Sequence, residues 1–340
     1  MTCMDSVLSK ALGSWCTAIV GRVEHRGALV YERAFGLTRD DILAKPVYVD
    51  TRFDLASITK LFVSTVALQL VALGLLTLDE PVIRWFPEWR GTMRQGITAR
   101  MLLAHTSGMN SGADYRTLFD ERVEEFALSR ELIAAPGERV IYSDLGMIAL
   151  GVLIERIATA PLAVAVAQFF PRPTLGFRPS ARDRPSIPAT ERDEWRGRVQ
   201  GTVHDEKAAL MGGASGHAGL FGTAADVAAL AEAYLAVTVG RSQRSLPSKL
   251  ALCAVSEQAY DPILRRGLGW ALKTNDANSC GAGFSQSSFG HTGFTGVAVW
   301  ADPLRDLQGV LLTNSVYFGR RDSRPLRGAF YDACIELASQ

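Results

Sequence analysis

The most constraining segment of this sequence is a serine and a lysine, three residues apart, in front of a long apolar run. Ser57 and Lys60 precede residues 61–76, which are apolar nearly all round and hold only a few polar side chains. The run contains no 20-residue span flanked by charges, as a membrane helix would require. It therefore predicts a helix that is buried at the centre of the fold.

The start of such a helix gives Ser57 and Lys60 a special environment. Residues three apart share one helix face, and the first turn carries unpaired N–H groups and the positive end of the dipole. This field favours an oxyanion at Ser57 and the loss of a proton from Lys60. The alternative is an ordinary helix start whose lysine lies along apolar surface. A capping box is disfavoured, since lysine has no hydrogen-bond acceptor.

Two later segments complete a known pattern. Residues 142–144 read Tyr-Ser-Asp after a Pro-Gly turn, and residues 291–293 read His-Thr-Gly in a glycine-rich, strand-like run. A serine–lysine pair, a tyrosine triplet and a [KH]-T-G strand, in this order, resemble the signature of the penicillin-recognising serine enzymes. The chain thus resembles the serine β-lactamase and penicillin-binding-protein superfamily over about residues 18–337, and within it the class C β-lactamase branch.

Shorter segments extend this resemblance. Residues 102–108 and 216–221 are further matches to the superfamily. Residues 188–191 and 203–206 are similar to a subgroup that contains bacterial muramoyl-alanine amidases and other β-lactamase-related hydrolases, esterases among them.

The resemblance implies a role for each motif. Ser57 would attack a carbonyl and become acylated, while Lys60 and Tyr142 would act as general base and acid. The backbone N–H groups of Ser57 and Phe294 would form the oxyanion hole. The residues implied in substrate binding are Asp144, His291, Thr292, Gly293 and Trp270.

Several of these residues have a structural alternative. Asp144 could cap the helix that begins at Leu145, Tyr142 could be a core aromatic, His291 could be a strand residue away from substrate, and Trp270 could only pack. Two departures from the branch also matter. Asp144 stands where asparagine is usual, and His291, mostly neutral near pH 7, stands where lysine is common. Both predict poor hydrolysis of anionic β-lactams.

Composition excludes several other classes. A net charge of +1 gives no reason to expect nucleic acid or an anionic membrane as partner. The five cysteines are widely spaced without a C-x-x-C pair, which fits a reducing compartment. The spacing of His204, Asp205 and His217 matches no metal-site template, so neither a metal nor a cofactor is expected. Residues 1–14 lack a signal-peptide pattern, so a cytoplasmic location is expected, with the periplasm or secretion as the alternative if the N-terminus is trimmed.

Periodicity predicts an antiparallel sheet flanked by helices, with a mostly helical stretch between its two halves. The resemblance implies the α/β (α+β) fold of β-lactamases, in which this stretch forms an all-helical lobe. Residues 17–34 and 293–314 read as two hairpins of one sheet, and residues 324–339 as an amphipathic helix. Helical spacing occurs at residues 98–103, 121–134, 145–158 and 224–236, while residues 171–198 read as a long surface loop. The α/β lobe is expected at about residues 1–56 and 205–340, and the helical lobe at about 57–204.

The sequence favours a serine hydrolase that cleaves an ester or amide of a small-molecule or cell-wall-derived substrate. One alternative is an acyltransferase that passes the acyl group to a small-molecule acceptor. Another is a binding module, such as a penicillin sensor or structural homologue, that does not turn over. The oligomeric state is left open.

Overall fold

The computed structural model describes residues 2–111, 118–119, 122–243, 245–260, 262–263 and 265–339. Its helices are α1 (Cys3–Ala11), α2 (Thr59–Ala72), α3 (Ala99–Leu103), α4 (Val123–Ser129), α5 (Asp144–Ala158), α6 (Leu162–Phe169), α7 (Glu206–Leu210), α8 (Ala224–Thr238), α9 (Ser248–Ala254) and α10 (Arg324–Ala338). Its strands are β1 (Ala18–His25), β2 (Ala28–Gly36), β3 (Phe53–Asp54), β4 (Gly176–Phe177), β5 (Ala189–Asp193), β6 (Gly197–Gln200), β7 (Leu220–Gly222), β8 (Arg265–Arg266), β9 (Ala271–Leu272), β10 (Phe289–Thr292), β11 (Ala298–Asp302) and β12 (Leu307–Thr313).

The main sheet has seven antiparallel strands in the order β2-β1-β12-β11-β10-β9-β8. The N-terminal hairpin lies beside the C-terminal one, with Val20 opposite Leu312. The prediction that the two hairpins share one antiparallel sheet, flanked by helices, is therefore confirmed. The second hairpin begins later than expected, because β10 ends at Thr292 and residues 293–297 form the turn to β11.

Helices α1 and α10 pack together on one face of this sheet, and α8 packs on the strands β1, β11 and β12. Glycines on the sheet allow the close approach of the terminal helices. A Cβ at Gly21 would lie 2.8 Å from Leu8 Cδ1, and one at Gly309 would lie 2.9 Å from Cys334 Sγ. Any larger side chain at these positions would push the terminal helices away from the sheet.

The apolar run after Lys60 forms α2, which is almost entirely buried and contacts α5 and α6. Thr98 caps α3, and Thr223 with Asp226 forms a capping box on α8, as the sequence predicts. At α5 the cap is Ser143, whose hydroxyl accepts from the N–H of Gly146 at 2.8 Å. Asp144 is the first residue of the helix, so the alternative of Asp144 as the cap is wrong.

The expectation of a surface loop at residues 171–198 is also wrong. This segment contains β4 and β5, and it leads into β6. Strand β4 pairs with β7, and the side-chain amide of Asn314 donates to the carbonyl of Ala189 at 2.6 Å. Strand β4 thus has a distant partner, β5 pairs with the adjacent β6, and all three strands are too short to produce a clear period in the sequence.

The described helices contain no single segment long and apolar enough to cross a membrane. The bent pair α5 and α6, with 78° between them, passes such a test only in combination and only by length and composition.

Candidate active site

Ser57 lies in a short 3₁₀ turn, Ala56–Ile58, between β3 and α2. The preceding Ala56 has φ of +43°, a conformation that is rare outside glycine and costs energy. A buried carboxylate supports it, since Asp54 accepts from the N–H of Ala56 at 2.8 Å and from the N–H of His204 at 2.6 Å. Burial raises the pKa of Asp54 to about 6, although these backbone hydrogen bonds oppose the shift.

Lys60 is fully buried, and its ammonium group has three acceptors around it. Its Nζ lies 2.9 Å from Ser57 Oγ, 2.9 Å from the carbonyl oxygen of His217 and 3.0 Å from Asp144 Oδ1. Three N–H donors matched to three acceptors describe a protonated lysine.

The electrostatic surroundings agree with this protonation state. Burial alone would lower the pKa of Lys60, but Asp144 and then Tyr142 outweigh it, so the pKa lies above its usual value. The expectation that the helix start eases proton loss is therefore overridden in the resting site by the carboxylate of Asp144.

The same three contacts determine where a neutral Lys60 would direct its lone pair. The Asp144 carboxylate and the His217 carbonyl can only accept hydrogen bonds, so each keeps one N–H group. Ser57 is the partner among the three that can become a donor. A deprotonated Lys60 would thus accept the hydroxyl proton of Ser57, which is the arrangement that activates a serine nucleophile.

Tyr142 is half-buried beside this pair, with the Lys60 ammonium 5.1 Å from its ring centroid. Its ring is surrounded by His105 at 4.8 Å, His291 at 6.1 Å and the guanidinium of Arg266 at 5.0 Å. The structure thus brings the serine–lysine, tyrosine and His-Thr-Gly motifs to one place. Arg266 was not singled out by the sequence.

His105 connects the tyrosine motif to the helical region. Its backbone has φ of +58°, and its Nδ1 accepts from the N–H of Ser143 at 3.1 Å. Burial lowers the pKa of His105 well below its usual value, so the imidazole is neutral and can accept this hydrogen bond. His105 therefore positions the turn that carries Tyr142.

Asp144 contacts the two buried lysines and is not among the residues that line the cleft. Its Oδ1 contacts Lys60 at 3.0 Å, and its Oδ2 contacts Lys207 at 3.3 Å. Burial would raise the pKa of Asp144, but Lys60, His217 and Lys207 hold it below the usual range. Its negative charge is compensated by these cations, and a contact between Asp144 and substrate stays a prediction.

The His-Thr-Gly motif ends β10 next to Ser57. His291 Nδ1 donates to the carbonyl of Thr292 at 2.8 Å. Burial, assisted by the charges of Lys60 and Arg266, lowers the pKa of His291 to about 3. The imidazole is therefore neutral, as the sequence suggested, and it lines the cleft together with Thr292.

The turn after β10 is held against the nucleophile turn. Thr295 Oγ1 donates to the carbonyl of Asp54 at 3.0 Å. A Cβ at Gly293 would lie 2.5 Å from Val297 Cγ2 and 2.9 Å from the carbonyl oxygen of Leu55, so this close approach requires glycine.

Two backbone N–H groups at this junction are available to a ligand. Neither the N–H of Ser57 nor that of Phe294 donates a hydrogen bond within the described part of the chain, whereas the N–H of Gly293 bonds to the Val297 carbonyl at 2.7 Å. Both available groups belong to residues that line the cleft. Their arrangement suits an oxyanion hole.

Ser57 opens into a cleft of about 650 Å³. The lining includes Tyr142, His291, Thr292, Gly293, Phe294 and Trp300, together with five arginines, Arg266, Arg320, Arg321, Arg324 and Arg327. Trp270 is not among them. It is buried in the core, with its ring 5.0 Å from those of Tyr234 and Phe289. The interpretation of Trp270 as a substrate contact is therefore corrected to a packing role.

Asp144, Asp205 and His217 bring oxygen and nitrogen atoms within 4.8 Å of one another. However, the ammonium groups of Lys60 and Lys207 contact these carboxylates, and His217 Nε2 already pairs with Asp205 Oδ1 at 2.7 Å. A metal ion would have to displace two cations, so we assign this cluster to charge pairing.

Comparisons with known proteins identify the family of the chain. A protein-family model described as Beta-lactamase matches residues 19–332. Esterase EstB of Burkholderia gladioli is 31% identical, over 97% of this chain and 94% of its own length. The N-acetylmuramyl-L-alanine amidase of Bacillus subtilis is 30% identical, over 92% of this chain and 80% of its own. The solved structure of EstCE1, a hydrolase with promiscuous acyltransferase activity, superposes with a TM-score of 0.77 at 23% identity, covering 97% of both chains. The chain therefore belongs to the β-lactamase family, as its three motifs predict.

Proposed function

We propose that this protein is a serine hydrolase that cleaves an ester or amide through an acyl-enzyme on Ser57. The observation that carries the proposal is the hydrogen bond of 2.9 Å between Ser57 and a buried Lys60, next to two N–H groups without a described partner. Nucleophile, base and oxyanion donors are the parts that acyl transfer needs. The relatives named as an esterase and an amidase support the same reaction type.

In the proposed acylation step, neutral Lys60 accepts the Ser57 proton as Oγ bonds to the substrate carbonyl carbon. The N–H groups of Ser57 and Phe294 stabilise the resulting oxyanion. The tetrahedral intermediate collapses when the bond to the leaving group breaks, and Tyr142, which lies beside Lys60, passes a proton from Lys60 to the departing oxygen or nitrogen.

Deacylation reverses this order with water as the nucleophile. A water molecule loses a proton to Tyr142 or Lys60 and attacks the acyl carbon. The bond to Ser57 Oγ then breaks, the acid is released, and the serine regains its proton.

The cleft favours a substrate that carries a negative charge. Arg327 is half-buried, donates to the carbonyl of Gly293 at 3.2 Å, and forms no ion pair with a described residue. Its Nε is buried without a described hydrogen-bond partner, and burial lowers its pKa. A carboxylate on the substrate would satisfy this guanidinium. Poor hydrolysis of β-lactams stays a prediction. Arg320 and Arg324 are already paired with carboxylates, so Arg327 is the arginine that we propose for the substrate.

A cell-wall-derived amide is one specific candidate, since such fragments carry carboxylates and one relative is named for this activity. Acyl transfer to an alcohol or amine is the second candidate. It is favoured by the open cleft of about 650 Å³ beside Ser57, which leaves room for an acceptor, and by the activity named for EstCE1. Acylated acceptor instead of free acid, formed in excess acceptor, would distinguish transfer from hydrolysis.

The proposal is tested by active-site labelling. A fluorophosphonate should label the protein once, as measured by intact mass. Mass analysis of the peptides after proteolysis should place the label on Ser57. Ser57→Ala should lose both label and turnover of p-nitrophenyl acetate. Ser64→Ala, which changes a buried serine on the same helix, should keep them. Labelling or hydrolysis that persists in Ser57→Ala would contradict the mechanism, and a single burst without turnover would favour a sensor.

A further inference from the structure

A second lysine lies directly behind the catalytic ion pair. Lys207, on α7, has a side chain that is only 12% exposed, and its Nζ lies 3.3 Å from Asp144 Oδ2. The other oxygen of the same carboxylate contacts Lys60 at 3.0 Å. The single negative charge of Asp144 is thus shared between two ammonium groups.

A closed ring of contacts holds Lys207 in this position. Its Nζ lies 3.8 Å from Asp205 Oδ2, and Asp205 Oδ1 pairs with His217 Nε2 at 2.7 Å. The carbonyl oxygen of His217 accepts from Lys60 at 2.9 Å, which closes the ring back to the nucleophile. Asp205 also caps α7 by accepting from the N–H of Ala208 at 2.8 Å, so its carboxylate is fixed in place.

We propose that Lys207 is a positioning residue that competes with Lys60 for the charge of Asp144, and thereby allows Lys60 to release its proton and act as the base. The proposal rests on the serine hydrolase function above. Without Lys207 the carboxylate would belong to Lys60 alone, and the ammonium form would be held more firmly. The Lys207 charge also repels that of Lys60 directly.

Other charged or titratable groups face the same pair from several elements. Those around Lys60 are Asp144, Tyr142, His105, Arg266, His291 and His217, and those around Lys207 are Asp205, Asp144 and Lys60. Burial would lower the pKa of Lys207, but Asp205 and Asp144 raise it, so Lys207 is a charged neighbour of Lys60. His105 and His291 are neutral, since burial lowers the pKa of each. Lys207 is therefore the fixed charge whose removal should act most selectively on Lys60.

The sign of the effect follows from this arrangement. Removing the Lys207 charge raises the pKa of Lys60 and reduces the neutral fraction at every pH below that value. The rate of serine acylation should fall by about tenfold near neutral pH, which corresponds to a shift of about one pH unit. The loss should stay near tenfold between pH 6 and pH 10, because the pKa of Lys60 lies above its usual value and the neutral fraction falls by the same factor at every pH in this range.

The test uses the second-order rate of fluorophosphonate labelling of Ser57 between pH 6 and pH 10, which needs no identified substrate. Lys207→Gln should show the same loss at every pH in this range. Lys207→Arg keeps the charge and should restore most of the rate. Lys249→Gln, an exposed lysine of α9, is the matched control and should behave as the parent.

A double-mutant cycle separates this role from a packing role. If Lys207 acts mainly through Asp144, Lys207→Gln should have a smaller effect in an Asp144→Asn background. An equal loss in both backgrounds, or a Lys207→Arg protein as slow as Lys207→Gln, would overturn the inference. These outcomes leave the proposed function intact, whereas labelling that survives Ser57→Ala refutes the function itself.

Discussion

Replacing Asp144 by asparagine should reveal how much the buried charge pair contributes to the fold. The substitution keeps the side-chain shape but leaves Lys60, which is fully buried, with an amide in place of a carboxylate at 3.0 Å. Removing one partner of a buried ion pair costs about 3–5 kcal/mol, because the remaining charge stays desolvated. For 340 residues the unfolding entropy is about 0.7 kcal/mol per kelvin. The melting temperature should therefore fall by roughly 4–7 °C.

Differential scanning calorimetry at pH 7 measures this effect, and Asp79→Asn serves as the control. Asp79 pairs with Arg100 at 2.6 Å but is 71% exposed, so its loss should shift the melting temperature by no more than about 1.5 °C. Since the pKa of Asp144 is lowered on folding, its contribution is present above the unfolded value near 3.8 and is lost as the pH falls below it. An Asp144→Asn protein as stable as Asp79→Asn at pH 7 would show that Lys60 is not held as a buried cation.

Four further outcomes are expected. Lys60→Arg keeps the charge but cannot serve as a base, so kcat/KM for p-nitrophenyl acetate should fall at least about a hundredfold; near-normal activity would refute the role of Lys60. Gly293→Ala should lower the same activity by roughly tenfold or more, because its Cβ meets Val297 Cγ2 at 2.5 Å, whereas Gly328→Ala, with open space around it, should not. Arg327→Gln should reduce the preference for p-nitrophenyl hemisuccinate over p-nitrophenyl butyrate by about tenfold, and an unchanged ratio would remove Arg327 from substrate binding. The pKa of Asp54 rises to about 6 on folding, so the stability that its protonated form provides is complete below about pH 4 and is lost as the pH rises through 6. The difference in urea midpoint between the parent and Asp54→Asn should therefore change between about pH 4 and pH 6 and in no other interval.

The sequence predicted the parts of the site that local motifs define. The pairing of Ser57 with Lys60 follows from their spacing on a helix, and Tyr142 follows from the order of the motifs, so both are found in one cleft. The helix caps at Thr98 and Thr223 also follow from local chemistry. These features depend on contacts within a few residues or on a pattern common to the family.

The features that were missed depend on contacts between distant elements. Lys207 lies on α7 and Asp144 at the start of α5, so their contact joins two elements that are distant in the sequence. The periodicity of the sequence does not predict such a contact. Residues 203–206 were noted for their resemblance, but the lysine that follows them was not. The segment 324–339 was predicted as a helix, yet its amphipathic pattern does not say that Arg327 faces the cleft instead of solvent. The sequence around Trp270 does not distinguish a tryptophan that packs in the core from one that lines the cleft, so its burial could not be predicted.

The charge layout of the site explains how one cleft can favour an anionic substrate and still activate a serine. The carboxylates of Asp144 and Asp205 are paired with Lys60, Lys207 and His217, so their negative charges are compensated. The arginines line the cleft, where the proposed substrate would bind. A bound carboxylate would be held by Arg327 and not by Lys60, which leaves the lysine free to change its protonation state. In this arrangement Arg327 would attract the substrate and Lys60 would act as the base. A substitution of Arg327 should therefore weaken substrate binding without abolishing deprotonation of Lys60.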